Sequence, residues 1–112
     1  MITKTLMAAS TRPIILAILS GREDYGYNII QKVKNISGGN LEWTDGMLYS
    51  VLQRMEMDGL VTSQWKIDGE SRPRRYFEIT AEGRRVLASE MANWKQILKA
   101  MTLFSRRHPA ES

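Results

Sequence analysis

Between Thr44 and Gly83 the chain changes its hydrophobic period twice, and that double change limits the folds open to it. From Thr44 to Asp58 the apolar residues Leu48, Val51, Leu52 and Met55 fall at helical spacing, leaving Tyr49, Ser50, Gln53, Arg54 and Met57 on the outer side. Thr44 suits the N-cap, and Asp45 suits the positive end of the helix dipole. After Gly59-Leu60 the pattern alternates, with Val61 and Trp65 as the larger apolar residues of a strand ending at Trp65-Lys66. A short charged turn leads to a return strand, Arg74 to Ile79, with Phe77 and Ile79 as its apolar residues. A helix feeding a two-stranded ribbon whose tip carries Arg72, Arg74 and Arg75 is a layout suited to duplex DNA. The helix enters the major groove while the basic ribbon reaches a neighbouring phosphate backbone.

The elements around this unit are helical. Ser10 or Thr11 is expected to cap a first helix, with Pro13 in its first turn, where an N–H has no intrahelical partner anyway. Residues 1–9 read as a lead-in. The apolar run Ile14 to Leu19 is too short for a membrane span and marks a buried helix. A second helix is expected over about Tyr25 to Ile36, with Tyr27, Ile30 and Val33 inward, closed by Gly38-Gly39.

Thr80 is expected to cap a last helix reaching about Phe104. About 25 residues make a rod of roughly 37 Å, whereas the 80 residues before it fit a globule of about 30 Å. Part of the helix must project, yet Leu87, Met91, Trp94, Leu98 and Met101 keep an apolar stripe to its end, widened by Ile97 and Phe104. A projecting apolar stripe needs a partner, and a second copy of the chain is the simplest one. The expected organisation is a DNA-binding unit over 1–79, a dimerisation helix over 80–105 and a flexible tail over 106–112. A homodimer follows.

Other classes are poorly served. The sequence of 112 residues has no cysteine and one histidine, His108 in the tail, so thiolate metal sites and histidine-based catalysis have no support. Gly38-Gly39 closes a helix instead of opening one, so no phosphate-binding glycine loop is present. No cofactor, metal or catalytic residue is expected, and the chain reads as a cytoplasmic protein and not an enzyme. Its net charge of +4 matters through its distribution. Arg54, Lys66, Arg72, Arg74 and Arg75 lie in or beside the helix–ribbon unit, as a phosphate binder requires.

Three ordered motifs resemble the PadR-type transcriptional regulators. Tyr25-Gly26-Tyr27-Asn28-Ile29-Ile30, after the Ile15 to Leu19 helix, is similar to the family's Gly-Tyr-x-Ile turn. Leu48 to Leu60 resembles its Leu-Tyr-x-x-Leu-x-Arg-Leu-Glu-x-x-Gly-Leu run, with Met55 for a leucine and Ser50 for a common proline. Arg72 to Gly83 is similar to its Arg-x-Arg-Lys-Tyr-Tyr-x-Leu-Thr-x-x-Gly wing. The resemblance spans almost the whole chain and implies a winged helix-turn-helix dimer that represses transcription. The single helix after the wing resembles the smaller subfamily. Some of its members stack flat aromatic or drug-like effectors on a tryptophan of that helix, a place Trp94 occupies here.

Each candidate residue has a plain structural alternative. For DNA contact the candidates are Tyr25, Thr44, Tyr49, Ser50, Gln53, Arg54, Lys66, Arg72, Arg74 and Arg75. Ser50 and Gln53 are able to reach base edges. Tyr25 and Tyr49 suit phosphate but also suit packing, and Arg54 has an (i, i+4) partner in Asp58. For an effector the candidates are Trp94 with Met91, Leu87 and Leu98, and Glu90 for a cationic aromatic. The alternative there is a dimer core. At the level of function the alternatives are a winged-helix protein-interaction module that does not bind DNA, and a drug-sequestering dimer with a secondary DNA role.

Overall fold

The computed structural model describes residues 2–67, 69–70 and 72–107. Its elements run α1 (Lys4–Gly21), β1 (Asp24–Tyr25), α2 (Gly26–Ile36), α3 (Asp45–Met57), β2 (Val61–Lys66), β3 (Arg74–Ile79) and α4 (Ala81–Arg107). The fold is mainly helical, with an antiparallel sheet in the order β1-β3-β2. Three strands therefore stand where the sequence suggested a two-stranded wing. β1 pairs Asp24 with Phe77 and Tyr25 with Tyr76, and two residues are too few for alternation to reveal them.

The first helix starts earlier than expected. Thr3 caps it, its hydroxyl oxygen accepting from the Leu6 N–H at 3.2 Å. Ser10 and Thr11 do not cap; both hydroxyls donate back to the Met7 carbonyl, at 3.0 and 2.7 Å. Pro13 thus sits inside the helix and is itself buried. An interior proline costs about 3 kcal/mol. Tertiary contact outweighs it, because the turns before Pro13 lie against α4, with Arg12 paired to Glu90 and Met7 packed on the core.

The core gathers Ile15, Leu16 and Leu19 of α1, Ile29 and Val33 of α2, Leu48, Leu52 and Met55 of α3, and Phe77 and Ile79 of β3. In α2 the buried stripe runs Gly26, Ile29 and Val33, so Tyr27 falls on the opposite side and is 66% exposed. The expectation that Tyr27 packs inward is corrected by that one-residue offset of the stripe. Gly38 and Gly39, at φ of 61° and 85°, end α2 as expected.

Asp24 is 3% exposed, yet every side of its carboxylate is occupied. It accepts from the Tyr25 N–H at 2.9 Å, from the Asn28 amide at 2.9 and 3.0 Å, and from the Lys32 ammonium at 2.7 Å. A buried carboxylate needs such a set to be tolerated. The set fixes β1 to the first two turns of α2.

A second knot joins α3 to α4. Thr80 donates its N–H to the Leu60 carbonyl at 3.0 Å and its hydroxyl to the Gly59 carbonyl at 2.6 Å. The same hydroxyl oxygen accepts from the Gly83 N–H at 3.0 Å, capping α4. Gly83 lies so close to this corner that an added Cβ would stand 2.2 Å from the Leu60 carbonyl oxygen.

From the corner α4 runs for 27 residues, about 40 Å. Val86 and Leu87 pack on the core, while Met91, Leu98, Met101 and Phe104 are exposed. The molecule measures 60 × 29 × 21 Å because of this projection. α4 continues through Arg107, past the expected fraying point at Ser105. The rest of the expected tail, with His108, lies outside the described residues.

Candidate nucleic-acid interface

One face of the molecule collects the outward side of α3, the start of α2 and the wing formed by β2 and β3. On α3, Thr44, Tyr49, Ser50, Gln53 and Arg54 are all exposed, as helical spacing requires once Leu48, Leu52 and Met55 face the core. Thr44 caps α3, its Oγ1 accepting from the Met47 N–H at 3.2 Å. Its own hydroxyl hydrogen remains available to an acceptor. Ser50 and Gln53 make no side-chain hydrogen bond among the described residues. Arg54 lies 3.5 Å from Asp58, the (i, i+4) arrangement weighed from the sequence.

The tyrosines are placed by glycine and by the third strand. A Cβ on Gly26 would meet the Tyr49 hydroxyl oxygen at 2.7 Å, so glycine is what lets the Tyr49 ring lie across the start of α2. Its other side leans on Phe77, with centroids 6.2 Å apart. Tyr25 meets Tyr76 edge-on at 5.3 Å, and the Arg74 guanidinium stands 4.5 Å from the Tyr25 ring centre. Tyr25 occupies the N-cap of α2 without capping it by side chain, which leaves first-turn N–H groups directed outward.

The basic residues of the wing divide into two groups. Arg75 is committed internally: it donates to Glu56 at 2.8 Å and to the Ser63 hydroxyl at 3.0 Å, while Ser63 donates to Glu56 at 2.8 Å. That triangle braces the wing against the last turns of α3, so Arg75 is not the free cation the sequence suggested. Lys66 is ion-paired with Glu23 and stands 5.6 Å from the Tyr76 ring. Arg72 and Arg74 have no ion-pair partner among the described residues. Arg74 rests over the Tyr25 ring, and the charge of both is available to an external anion.

Cross-strand register explains a residue that sequence reasoning misplaced. Val61 faces Ile79, Ser63 faces Phe77 and Trp65 faces Arg75, so all three lie on the side of the ribbon that meets the core. The core ends before Trp65, which is 68% exposed, and the alternation that groups it with Val61 carries no sign of where the core stops. Trp65, Tyr27, Tyr25, Tyr49, Pro73, Arg74 and Arg75 line a hollow of about 340 Å³ between the start of α2, α3 and the wing. Tyr27 and Trp65 were not among the sequence candidates.

The effector candidates sit elsewhere. Trp94 is half-buried between two apolar hollows. One, of about 380 Å³, lies against α1 and is walled by Leu6, Pro13, Ile14, Leu41 and Met91. The other, of about 730 Å³, runs along α4 past Met91, Leu98 and Met101. Leu87 belongs to the core packing and lines neither. The Glu90 carboxylate is taken by Arg12 and is largely buried, so the expectation that it meets a cationic aromatic is corrected. Leu6, Ile14 and Leu41 were missed because they are distant in sequence: the first two reach Trp94 through the packing of α1 on α4, and Leu41 from the connection between α2 and α3.

Among the described residues no group of three or more His, Cys, Asp or Glu is arranged to hold a metal ion, and no helix is long and apolar enough to cross a membrane.

Residues 15–89 match the model of the transcriptional regulator PadR-like family. Among solved structures, a transcriptional regulator from Clostridium thermocellum superposes with a TM-score of 0.82 at 26% identity, over 93% of this chain and 98% of that one. A PadR family transcriptional regulator from Eggerthella lenta gives 0.77 at 27%, over 89% and 85%. One from Clostridium difficile gives 0.72 at 29%, over 85% and 97%.

Proposed function

The chain belongs to the PadR-like family of transcriptional regulators, DNA-binding proteins and not enzymes, and on that premise we propose that it acts as a homodimeric repressor released by a planar aromatic effector. α3 is the reading helix, with Thr44, Ser50 and Gln53 toward base edges and Tyr49 toward phosphate. Arg72 and Arg74 grip the flanking backbone, and Tyr25 holds a phosphate at the start of α2. Two copies related by a two-fold axis read an inverted repeat. The observation that carries this reading is the juxtaposition of an uncovered α3 surface with Arg72 and Arg74, which have no ion-pair partner among the described residues.

The apolar stripe of α4 supports the dimer, since Leu98, Met101 and Phe104 are otherwise left in water. An effector on Trp94 would lie between the body and this stripe, in the hollows that Met91 joins. It releases DNA by preferring the arrangement of the two reading units that does not fit the operator. Repression, as opposed to activation, follows from the family resemblance alone.

Fluorescence anisotropy of a labelled duplex from the region upstream of its own coding sequence, with a scrambled duplex beside it, tests the reading. A dimer that neutralises about 6–10 phosphates loses roughly 10³- to 10⁵-fold in affinity between about 50 and 200 mM salt. Binding that ignores salt, or treats both duplexes alike, refutes a sequence-specific regulator and favours a winged-helix module that binds protein. Planar aromatic cations and neutral dyes are the probes for Trp94. Trp94→Ala is expected to abolish their binding while leaving DNA affinity within about threefold.

A further inference from the structure

Trp65 is the exposed aromatic that neither the core nor the reading helix accounts for. Its ring lies on the core-facing side of β2, opposite Arg75, whose guanidinium is turned to Glu56 and Ser63. Among the described residues nothing else covers it, and 68% of the residue meets water. Tryptophan is seldom left so open, because its large apolar surface gains most from burial.

The surroundings define what would cover it. Trp65 shares its hollow with the phenol rings of Tyr25, Tyr27 and Tyr49 and with Arg74. Four rings beside a guanidinium match the chemistry of a nucleotide, whose phosphate takes the cation and the phenolic hydroxyls while its sugar and base edge offer an apolar face. An acidic protein partner would also satisfy the arginine, but the hollow adjoins the exposed Tyr49 of α3 and the unpaired Arg74, on the face where a duplex backbone would pass.

We infer that Trp65 is a duplex-contacting residue: its ring packs on the deoxyribose and base edge of the nucleotide whose phosphate enters the hollow. The inference rests on the DNA-binding reading and adds to it a contact that is neither electrostatic nor base-specific. Trp65 makes the wing sensitive to the path of the backbone and gives affinity a component that salt does not screen.

The test uses the full chain and two duplexes of about 30 base pairs, long enough for half-sites one helical turn apart. One carries random sequence and the other the upstream region, since a sugar contact serves both. Trp65→Ala is expected to weaken both by the same factor, up to the roughly five- to 150-fold lost when a ring stacked on a single-stranded base is removed. The slope of log affinity against log salt stays unchanged. Trp65→Phe keeps most of the affinity. Trp65→Lys steepens the slope without restoring affinity. In the unsubstituted protein, duplex addition shields the exposed tryptophan emission from acrylamide. Trp43 is already buried and Trp94 lies away from this face.

Three results overturn the inference: Trp65→Ala binding like the parent, Trp65→Lys binding as tightly as the parent, or acrylamide quenching unmoved by duplex. With the parent binding normally, these leave the DNA-binding reading intact. A parent that binds neither duplex removes the reading and Trp65's role together.

Discussion

Replacing Gly83 by alanine reverses the usual consequence of a glycine-to-alanine change in a helix. In an unconstrained helix position the change is worth up to about 1 kcal/mol in favour of alanine. At Gly83 the new methyl carbon would lie 2.2 Å from the Leu60 carbonyl oxygen and 2.7 Å from Ile79 Cγ1. Cβ atoms essentially never approach closer than 3.0 Å, so the first turn of α4 must retreat by 3.0 − 2.2 = 0.8 Å. The carbonyl has no freedom to turn aside, because it accepts from Thr80 at 3.0 Å in a corner that Gly59, at φ 78°, makes tight. Overpacking of this kind costs about 1–3 kcal/mol, and the strained Thr80–Leu60 hydrogen bond adds about 1 kcal/mol when lost. Setting about 1 kcal/mol of helix propensity against these leaves a loss of about 1–3 kcal/mol.

Urea denaturation followed by far-ultraviolet circular dichroism, at one fixed protein concentration, reads this difference. The midpoint falls at unchanged slope, and the melting temperature drops by roughly 4–24 °C, at about 4–8 °C per kcal/mol for a small domain. Gly46→Ala in α3 is the control, having no atom within 4 Å of an added Cβ and no positive φ. It is expected to be neutral or slightly stabilising. A Gly83→Ala protein as stable as its parent would refute the corner as described.

Other outcomes follow from the same geometry. Arg75→Ala, which breaks the tie to Glu56 and Ser63, is expected to cost about 1–2 kcal/mol of stability, from a part-exposed charge-assisted pair. Arg74→Ala should leave stability within about 0.5 kcal/mol while weakening duplex binding and lowering the salt slope by roughly one. Equal effects of the two on stability would contradict the division of the wing cations. Asp24→Asn deprives Lys32 of its partner and turns one acceptor of a buried set into a donor, a loss of about 1–3 kcal/mol in the same urea assay. A neutral Asp24→Asn would show that the set does not hold β1 in place. Leu98→Glu puts a charge in the exposed α4 stripe and is expected to shift sedimentation from dimer to monomer without unfolding the body. Unchanged sedimentation would rule out α4 as the dimer interface.

Much of this architecture was legible from spacing. The inward set of α3, the return of the chain through two strands, the glycine pair ending α2 and a last helix too long for its body are all local patterns, and each appears at the expected residues. What escaped depends on contacts between distant segments. β1 exists only because Asp24 and Tyr25 find Phe77 and Tyr76. α1 extends back to Lys4 because its early turns rest on α4, some 80 residues later, against the local vote of Pro13. Arg75 and Arg74 are adjacent and chemically identical, and only the register that points one toward Glu56 separates a brace from a free cation. Tyr27 and Trp65 show the converse problem: periodicity gives the side a residue faces, but not whether the core reaches that far.

The corner at Leu60, Thr80 and Gly83, together with the Arg12–Glu90 pair, locks α3 and the first half of α4 into one packed body, and only the far half of α4 projects from it. Were that half the dimer contact, as proposed, the body would turn as a unit. A tilt of about 6° moves a point about 20 Å from the pivot, the length of a 13-residue helix, by about 2 Å. Hydrogen bonds to base edges and phosphates are lost over about 0.5 Å. An effector beside Trp94, on the proposed reading, would therefore have no need to unfold anything or to travel far to take the two subunits out of register with a groove.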